Sequence, residues 1–116
     1  MKDNMIHGKG SYEWPDDRSY VGEWSKNQMN GRGVYEWTGE GIKYEGQYKD
    51  DRKEGWGKMS WKTGQSYEGE WKESKKQGLG KMIDSKGKVT YGRWDNGDMV
   101  KSVKEALWKD AKNNYA

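Results

Sequence analysis

Hydrophobic and polar positions alternate along two kinds of short segment in this chain. One segment reads Tyr-x-Gly-x-Trp, as at residues 67–71, and the other reads Gly-x-Gly-x-Tyr-x-Trp, as at residues 31–37. Because alternate side chains of a strand share a face, both segments predict short strands with aromatic residues and glycine on one face. The other face is polar, with residues such as Glu23, Arg32 and Glu68.

The two segments each recur in steps of 23 or 24 residues. Gly-x-Gly pairs begin at residues 8, 31, 55 and 78, and a glycine precedes an aromatic residue by two positions at 22, 46, 69 and 92. Two separate markers therefore share one period, which indicates a repeat architecture. The glycines to which this register gives a structural role are Gly22, Gly31, Gly33, Gly46, Gly55, Gly57, Gly69, Gly78, Gly80 and Gly92.

Short polar links between the segments predict that neighbouring strands are antiparallel. We therefore expect an all-β fold, a single-layer, curved antiparallel β-meander of about eight strands, with polar loops at residues 25–30 and 72–77. The predicted domain organisation is an N-terminal tail at 1–6, a repeat domain at 7–97 and a C-terminal helix at 98–116. Within the repeat domain we expect a half repeat at 7–19, repeats at 20–43, 44–66 and 67–89, and a partial repeat at 90–97.

Most aromatic residues fall on the predicted aromatic face. These residues are Tyr12, Trp14, Tyr20, Trp24, Tyr35, Trp37, Tyr44, Tyr48, Trp61, Tyr67, Trp71 and Trp94. Two interpretations stay open, a core or a groove that binds a partner, because a single layer leaves this face uncovered and a large apolar patch usually marks a contact site. Glycine at alternate positions lets a neighbouring ring lie across the bare backbone.

After Trp94 the alternation stops and a helical pattern begins. Asp98 is the expected N-cap of an amphipathic helix that spans residues 99–113. The apolar face of this helix is predicted to consist of Met99, Val100, Val103, Leu107 and Ala111. Three roles stay open for it: a cap on the last strands, a docking helix for another protein, or a helix that lies on a membrane surface.

Composition changes the expected core more than the expected surface. Phe is absent, but eight Trp and eight Tyr can each bury roughly 150–250 Å², so the core is expected to be aromatic. Lys and Arg number 22 against 19 Asp and Glu, a mixed surface that specifies no partner. The sequence has no cysteine, no apolar stretch of about 18 residues and no signal-peptide pattern, and we predict a cytoplasmic protein.

The sequence offers no set of residues for catalysis, a metal ion or a cofactor, and we predict that the protein is not an enzyme. There is no Cys, and the serines have no base arranged around them. The single histidine, His7, takes a position held elsewhere by Asn30, Glu54 and Gln77, which predicts a surface residue. Gly-x-Gly beside a lysine is reminiscent of a phosphate-binding loop, but a strand rather than a helix follows each pair.

These residues together resemble the MORN (membrane occupation and recognition nexus) repeat. Tyr-Glu-Gly-Glu-Trp-Lys at 67–72, the Gly-x-Gly that follows and Tyr-Glu-Trp before a turn carry the resemblance over residues 7–94. The later copies depart from the pattern, with Asp84 in place of Trp, Thr90 in place of Tyr, and Met59 and Met82 in place of Tyr. The resemblance implies an elongated β-meander with a curved aromatic groove that holds partner peptides or helices.

The resemblance also implies function: an adaptor in cytoskeletal or ciliary structures, a module of a larger enzyme, or a phospholipid-binding protein. We predict a non-catalytic protein-binding scaffold that uses the aromatic groove; the alternatives are a peripheral membrane module for anionic phospholipids and the regulatory module of an enzyme. The basic residues that favour the membrane alternative are Lys49, Arg52, Lys53, Lys72, Lys75, Lys76, Lys81, Lys86 and Lys88. Binding of nucleic acid is disfavoured, because the rings belong to repeat positions. Pairing of two copies of the chain through open sheet edges stays an alternative.

Overall fold

Nine strands and one α-helix account for most of residues 8–115, the part of the chain that the structure, a computed structural model, describes. The strands are β1 Gly8–Trp14, β2 Arg18–Ser25, β3 Gln28–Trp37, β4 Ile42–Lys49, β5 Arg52–Ser60, β6 Ser66–Lys72, β7 Lys75–Ile83, β8 Val89–Asp95 and β9 Asp98–Ser102. Helix α1 spans Glu105–Asn114, and a 3₁₀ turn, Thr38–Glu40, joins β3 to β4. The predicted tail at 1–6 and the surface position predicted for His7 lie outside the described residues.

All nine strands form one sheet in which each strand pairs antiparallel with its neighbours in sequence. The described part of the chain measures 52 × 30 × 22 Å. The predicted fold class, an antiparallel meander with a C-terminal helix, is confirmed. The sheet has one strand more than expected, because β9 forms where the sequence pattern predicts the start of the helix.

Two-residue turns with positive φ at both positions connect β2 to β3, β4 to β5, β6 to β7 and β8 to β9. In the first of them, Lys26 and Asn27 have φ of 50° and 66°. Such turns match the twist of paired strands. The prediction of two polar loops is therefore wrong, since β3 and β7 already begin at Gln28 and Lys75.

Each full repeat also contains a β-bulge, where the register between paired strands shifts at the step from glycine to the aromatic residue. A side chain on the polar face completes each bulge. The backbone N–H of Arg32 donates to Glu23 Oε1 (2.6 Å), the N–H of Trp56 donates to Gln47 Oε1 (2.7 Å), and the third repeat follows the same pattern. Bulges bend a strand and increase its twist, so a bulge in every repeat bends the sheet at regular intervals.

Glycines line up across the sheet, and a tyrosine ring lies over each central pair. Gly46 and Gly57 face each other between β4 and β5, and a Cβ atom on Gly57 would overlap the ring and hydroxyl of Tyr44. The Tyr44 hydroxyl donates to the carbonyl oxygen of Gln47 at 3.0 Å, which fixes the ring in this position. The repeats on either side have the same arrangement, so the close approach of a ring excludes any side chain at these glycines.

The core is a continuous series of rings that meet edge to face. Tyr44, for example, lies between Tyr48 and Trp71, with ring centroids 5.1 and 5.5 Å away and interplanar angles of 79° and 89°. The series runs through Trp24, Tyr20, Tyr48, Tyr44, Trp71, Tyr67 and Trp94. Edge-to-face pairs stabilise beyond the area that they bury, and this explains how a chain with few aliphatic residues builds a core.

We expect the fold to lose stability above about pH 10, the ordinary pKa of tyrosine. Burial raises the pKa of Tyr44 and Tyr67, and it raises the pKa of Tyr20 to about 12. Between the unfolded and folded pKa values the folded state keeps protons that the unfolded state releases. The stability that these buried hydroxyls contribute is therefore fully present below the tyrosine pKa of the unfolded state. It is lost as the pH rises through the tyrosine pKa values of the folded state.

Thermal unfolding at intervals from pH 8 to pH 12 measures this effect. The Tm should fall progressively above about pH 10 in the wild type. Tyr44→Phe removes one titrating group and should give a shallower decline from its own starting value. A Tm that stays level over the whole range would contradict the prediction.

The predicted helix begins too early in the sequence. Residues from Asp98 onward pair with β8, so Asp98 starts a strand and does not cap a helix. Helix α1 begins at Glu105, after Lys104, which makes no side-chain cap. The strand forms because Met99 pairs with Trp94 and its side chain approaches Gly92, and this pairing extends the repeat by one further segment.

The predicted apolar face of the helix is wrong for the same reason. Met99 and Val100 lie on β9, Val103 precedes the helix, and only Leu107 and Ala111 lie on α1. Leu107 is 44% exposed, whereas the neighbouring Trp108 is 4% exposed. The helix therefore packs through the position next to the one that the pattern predicts.

Candidate binding surfaces

The aromatic face of the sheet carries the twelve rings predicted to form a groove. Eight of them are buried: Tyr20, Trp24, Tyr35, Tyr44, Tyr48, Tyr67, Trp71 and Trp94. Tyr12 is exposed, and Trp14, Trp37 and Trp61 are half-buried against the core. Most of these rings therefore form the core and the other four lie at its surface, and binding of a partner by them stays a prediction.

Trp14, Trp37 and Trp61, which we call the tryptophan row, occupy equivalent positions in successive repeats. The rings of Trp14 and Trp37 lie 5.4 and 4.3 Å from the ring of Tyr35, so the row rests on the buried rings. Equivalent positions are two strands apart, which separates neighbouring members by roughly 10 Å. Helix α1 lies on the opposite face, so it leaves the row uncovered.

Two lysines place positive charge beside the tryptophan row. Lys53 Nζ lies 6.0 Å from the ring centroid of Trp37 and 5.5 Å from that of Tyr44, and Lys76 Nζ lies 5.6 Å from that of Trp61. A cation over the face of a ring is stabilised by the ring quadrupole. Burial lowers the pKa of both lysines.

Helix α1 packs on the other face of the sheet, which we call the helix face. The indole N–H of Trp108 donates to the carbonyl oxygen of Glu68 (2.8 Å), and its ring lies 5.8 Å from Trp56 and 5.5 Å from Tyr91. The ring of Tyr115 lies 5.4 Å from that of Trp56. Of the three roles left open for the helix, packing on strands of its own chain is the one seen in the structure.

Sequence reasoning missed this second aromatic cluster. Trp56, Tyr91, Trp108 and Tyr115 are the four aromatic residues that fall outside the repeat positions. Trp56 and Tyr91 stand at strand positions whose side chains point away from the aromatic face, and that is the signal that could have revealed them. Large rings on a mostly polar face favour a covering element, and α1 supplies it.

Polar contacts hold the end of the helix on the sheet. Lys112 Nζ lies 3.0 Å from Glu68 Oε2, and the Tyr115 hydroxyl donates to Glu70 Oε2 at 3.1 Å. Arg32 donates to the carbonyl oxygen of Tyr115 at 3.0 Å. Burial, together with the nearby charge of Glu70, raises the pKa of Tyr115.

The nine basic residues that favour the membrane alternative are divided among the faces and edges of the sheet. Lys53 and Lys76 lie over rings of the aromatic face, while Lys81 Nζ lies 5.4 Å from the ring of Trp108 on the helix face. Lys72, Lys75 and the remaining members are exposed near the turns. Those at the β4–β5 and β6–β7 turns share one edge of the sheet, whereas Lys81, Lys86 and Lys88 lie elsewhere, so the nine residues do not form one basic surface.

Within residues 8–115, no group of three or more His, Cys, Asp or Glu side chains is placed to hold a metal ion. No helix in that range has the length and apolar character needed to cross a membrane.

Comparison with known families gives one match, to the model described as MORN repeat. Four copies match in succession, at residues 1–17, 20–41, 44–66 and 67–89, and together they cover most of the chain. A search of curated proteins gives no match.

Proposed function

Because four consecutive repeats match, the chain belongs to the MORN repeat family, and we propose that it is a scaffold that holds an extended, acidic segment of a partner protein on its aromatic face. Repeats of this family serve as membrane- or protein-binding modules and are typically non-catalytic. The association with a cytoskeletal or ciliary assembly in the cytoplasm that the resemblance implies is part of the same proposal.

The observation that carries the proposal is the tryptophan row: one half-buried indole in each of the first three copies, supported from below by the core. Its spacing of roughly 10 Å suits a particular ligand geometry. A polyproline II segment has three residues per turn and a rise of about 3.1 Å, so side chains on one of its faces recur every ~9.3 Å. Aromatic-lined grooves commonly bind such segments.

Charge supports an acidic partner. Lys53 and Lys76 bring two cations next to Trp37 and Trp61, and burial among rings weakens the hydration of both ammonium groups. A carboxylate of the ligand beside either lysine would compensate for that lost hydration. The membrane alternative has less support, because the basic residues do not form one surface.

We expect a synthetic peptide of four Leu-Glu-Pro units to bind the full chain through the tryptophan row. Trp37→Ala should weaken binding at least fivefold in isothermal titration calorimetry. Lys53→Met should also weaken it, and this variant should fold normally because the equivalent position of the preceding repeat is the buried Met29. Val21→Arg, at a position 59% exposed on the helix face, is the matched control and should bind as the wild type does.

Three results would contradict the proposal: equal binding of a Leu-Lys-Pro peptide, binding that is indifferent to both Trp37→Ala and Lys53→Met, or no binding at all. Sedimentation with phosphatidylserine vesicles tests the alternative in parallel. Vesicle binding without peptide binding would favour the peripheral membrane module. A circular dichroism melt of each variant confirms that the comparison is made between folded proteins.

A further inference from the structure

The helix face contains the same trough several times, and α1 fills only part of the series. One trough, of about 680 Å³, is lined by Lys9, Gly10, Ser11, Val21, Gly22, Glu23 and Arg32. A second, of about 490 Å³, is lined by Arg32, Gly33, Val34, Glu45, Gly46, Gln47 and Trp56, with Glu68, Lys112 and Tyr115 at its border. Each residue of the first trough has its repeat equivalent, 23 or 24 residues later, in the second.

The residues 23 or 24 positions further along the chain form a third trough, which α1 occupies. Its equivalent residues include Trp56, Glu68, Glu70 and Leu79, and there the indole N–H of Trp108 donates to Glu68. The covered glycines of this third trough, Gly57 and Gly69, are buried, whereas Gly22, Gly33 and Gly46 of the open troughs are partly exposed. The third trough is thus filled, whereas the first is open and the second is open apart from Lys112 and Tyr115 at its border, and we call these two the open troughs.

The helix meets the sheet with a spacing that matches the repeat. Trp108 and Tyr115 are seven residues apart, about 10.5 Å along a helix, and one repeat spans two strands, roughly 9.6 Å. Trp108 lies between Tyr91 and Trp56, and Tyr115 lies between Trp56 and Arg32. A helix that crosses the strands therefore places an aromatic residue in successive troughs if such residues recur every seventh position.

The groups that hold α1 have counterparts in the open troughs. Glu70 uses Oε1 for a bulge amide and Oε2 for the Tyr115 hydroxyl. Glu23, its equivalent, likewise uses Oε1 for a bulge amide, that of Arg32. Glu45 is the equivalent of Glu68, which pairs with Lys112; its side chain is 53% exposed and lies 3.6 Å from Lys43 Nζ.

We propose that the two open troughs form a second binding surface for an amphipathic helix of a partner protein. That helix carries two aromatic residues seven positions apart, with a basic residue between them, as in Trp108, Lys112 and Tyr115 of α1. It lies over β1–β4 in line with α1. One ring packs against Val21 and Val34, a phenol or indole donates to Glu23 Oε2, and the basic residue pairs with Glu45.

The chain's own helix provides the probe. A peptide of residues 104–115 is made helical by a lactam between Glu105 and Lys109, which already form an ion pair at 2.9 Å and are 50% and 62% exposed. The labelled peptide is added to the full chain. Binding is followed by fluorescence anisotropy, and its position by amide chemical shifts. Shifts at Val21, Glu23 and Val34 are expected, and a peptide with alanine at the Trp108 and Tyr115 positions should not bind.

Two protein variants test the site itself. Glu23→Gln should weaken binding about tenfold while preserving the bulge, because Gln47 fills the equivalent position in the next repeat. Val21→Arg should abolish binding. Val100→Arg, on β9 and 61% exposed, is the matched control and should have no effect. Trp37→Ala should also leave binding unchanged, so failure here and failure of the aromatic-face proposal are separate results.

Absence of binding at millimolar peptide would overturn the proposal. It would also be overturned by shifts confined to β5–β8, because the peptide would then have replaced α1 in its own trough. Binding that is unaffected by both Glu23→Gln and Val21→Arg would also overturn the proposal.

Discussion

Gly57→Ala is expected to lower the free energy of unfolding by about 3 kcal/mol, a large part of the stability of a domain of this size. The new methyl group would overlap the Tyr44 ring, and the ring cannot move aside. Tyr44 is fully buried, its hydroxyl is bonded to the carbonyl oxygen of Gln47, and Tyr48 and Trp71 close on it edge to face. Urea unfolding followed by tryptophan fluorescence measures the loss.

Gly39→Ala is the matched control. Gly39 has no positive φ, and a Cβ atom there would meet its nearest neighbour, Asp17, at an ordinary contact distance of 3.5 Å. Its effect should stay within about 0.5 kcal/mol. If both alanine variants lower the free energy of unfolding by the same amount, the close approach of the Tyr44 ring is not what requires glycine at position 57.

Trp108→Ala is expected to release α1 from the sheet at a cost of about 3–5 kcal/mol in the free energy of helix docking. The substitution removes the indole that packs on Trp56 and Tyr91, together with its hydrogen bond to Glu68. Amide hydrogen exchange measures this directly, since the amides of α1 should lose protection while those of the central strands keep it.

Leu107→Ala distinguishes the packing in the structure from the packing that the sequence pattern predicts. The pattern places Leu107 on the packed face of the helix, whereas the structure leaves it 44% exposed and buries its neighbour. The exchange rates of α1 should therefore change little. Faster exchange in Leu107→Ala than in Trp108→Ala would mean that the helix packs as the sequence pattern predicts.

The strands, their order and the aromatic core could be predicted because the same pattern of glycine and aromatic residues recurs several times along the chain. Every copy places glycine and aromatic residues on one face, so departures such as Thr90 do not hide the register. Strand β9 was missed because its residues lack the glycine pair and fit a helical pattern equally well. The Asn96-Gly97 step is a strong signal for a two-residue hairpin turn, and it should have outweighed the helical periodicity.

The candidate site was less predictable, for a physical reason. Alternation assigns a side chain to a face but does not tell how much of it the neighbouring rings cover. Trp71 and Trp37 have the same alternation, yet Trp71 is 6% exposed and Trp37 lies half-exposed at the edge of the core. Contacts of α1 depend on chain segments far apart in sequence, and Trp108 reaches Glu68 across 40 positions, which no local pattern encodes.

The order of the strands has a consequence for how such a protein changes over evolutionary time. Among the described residues, each strand pairs with its neighbours in sequence alone, so a segment of one period can be duplicated or deleted without breaking the pairing of any other strand. Each duplication would add one indole to the tryptophan row and one trough to the opposite face. The length of ligand that the protein can hold is therefore set by copy number, and natural selection can adjust it in whole units rather than residue by residue.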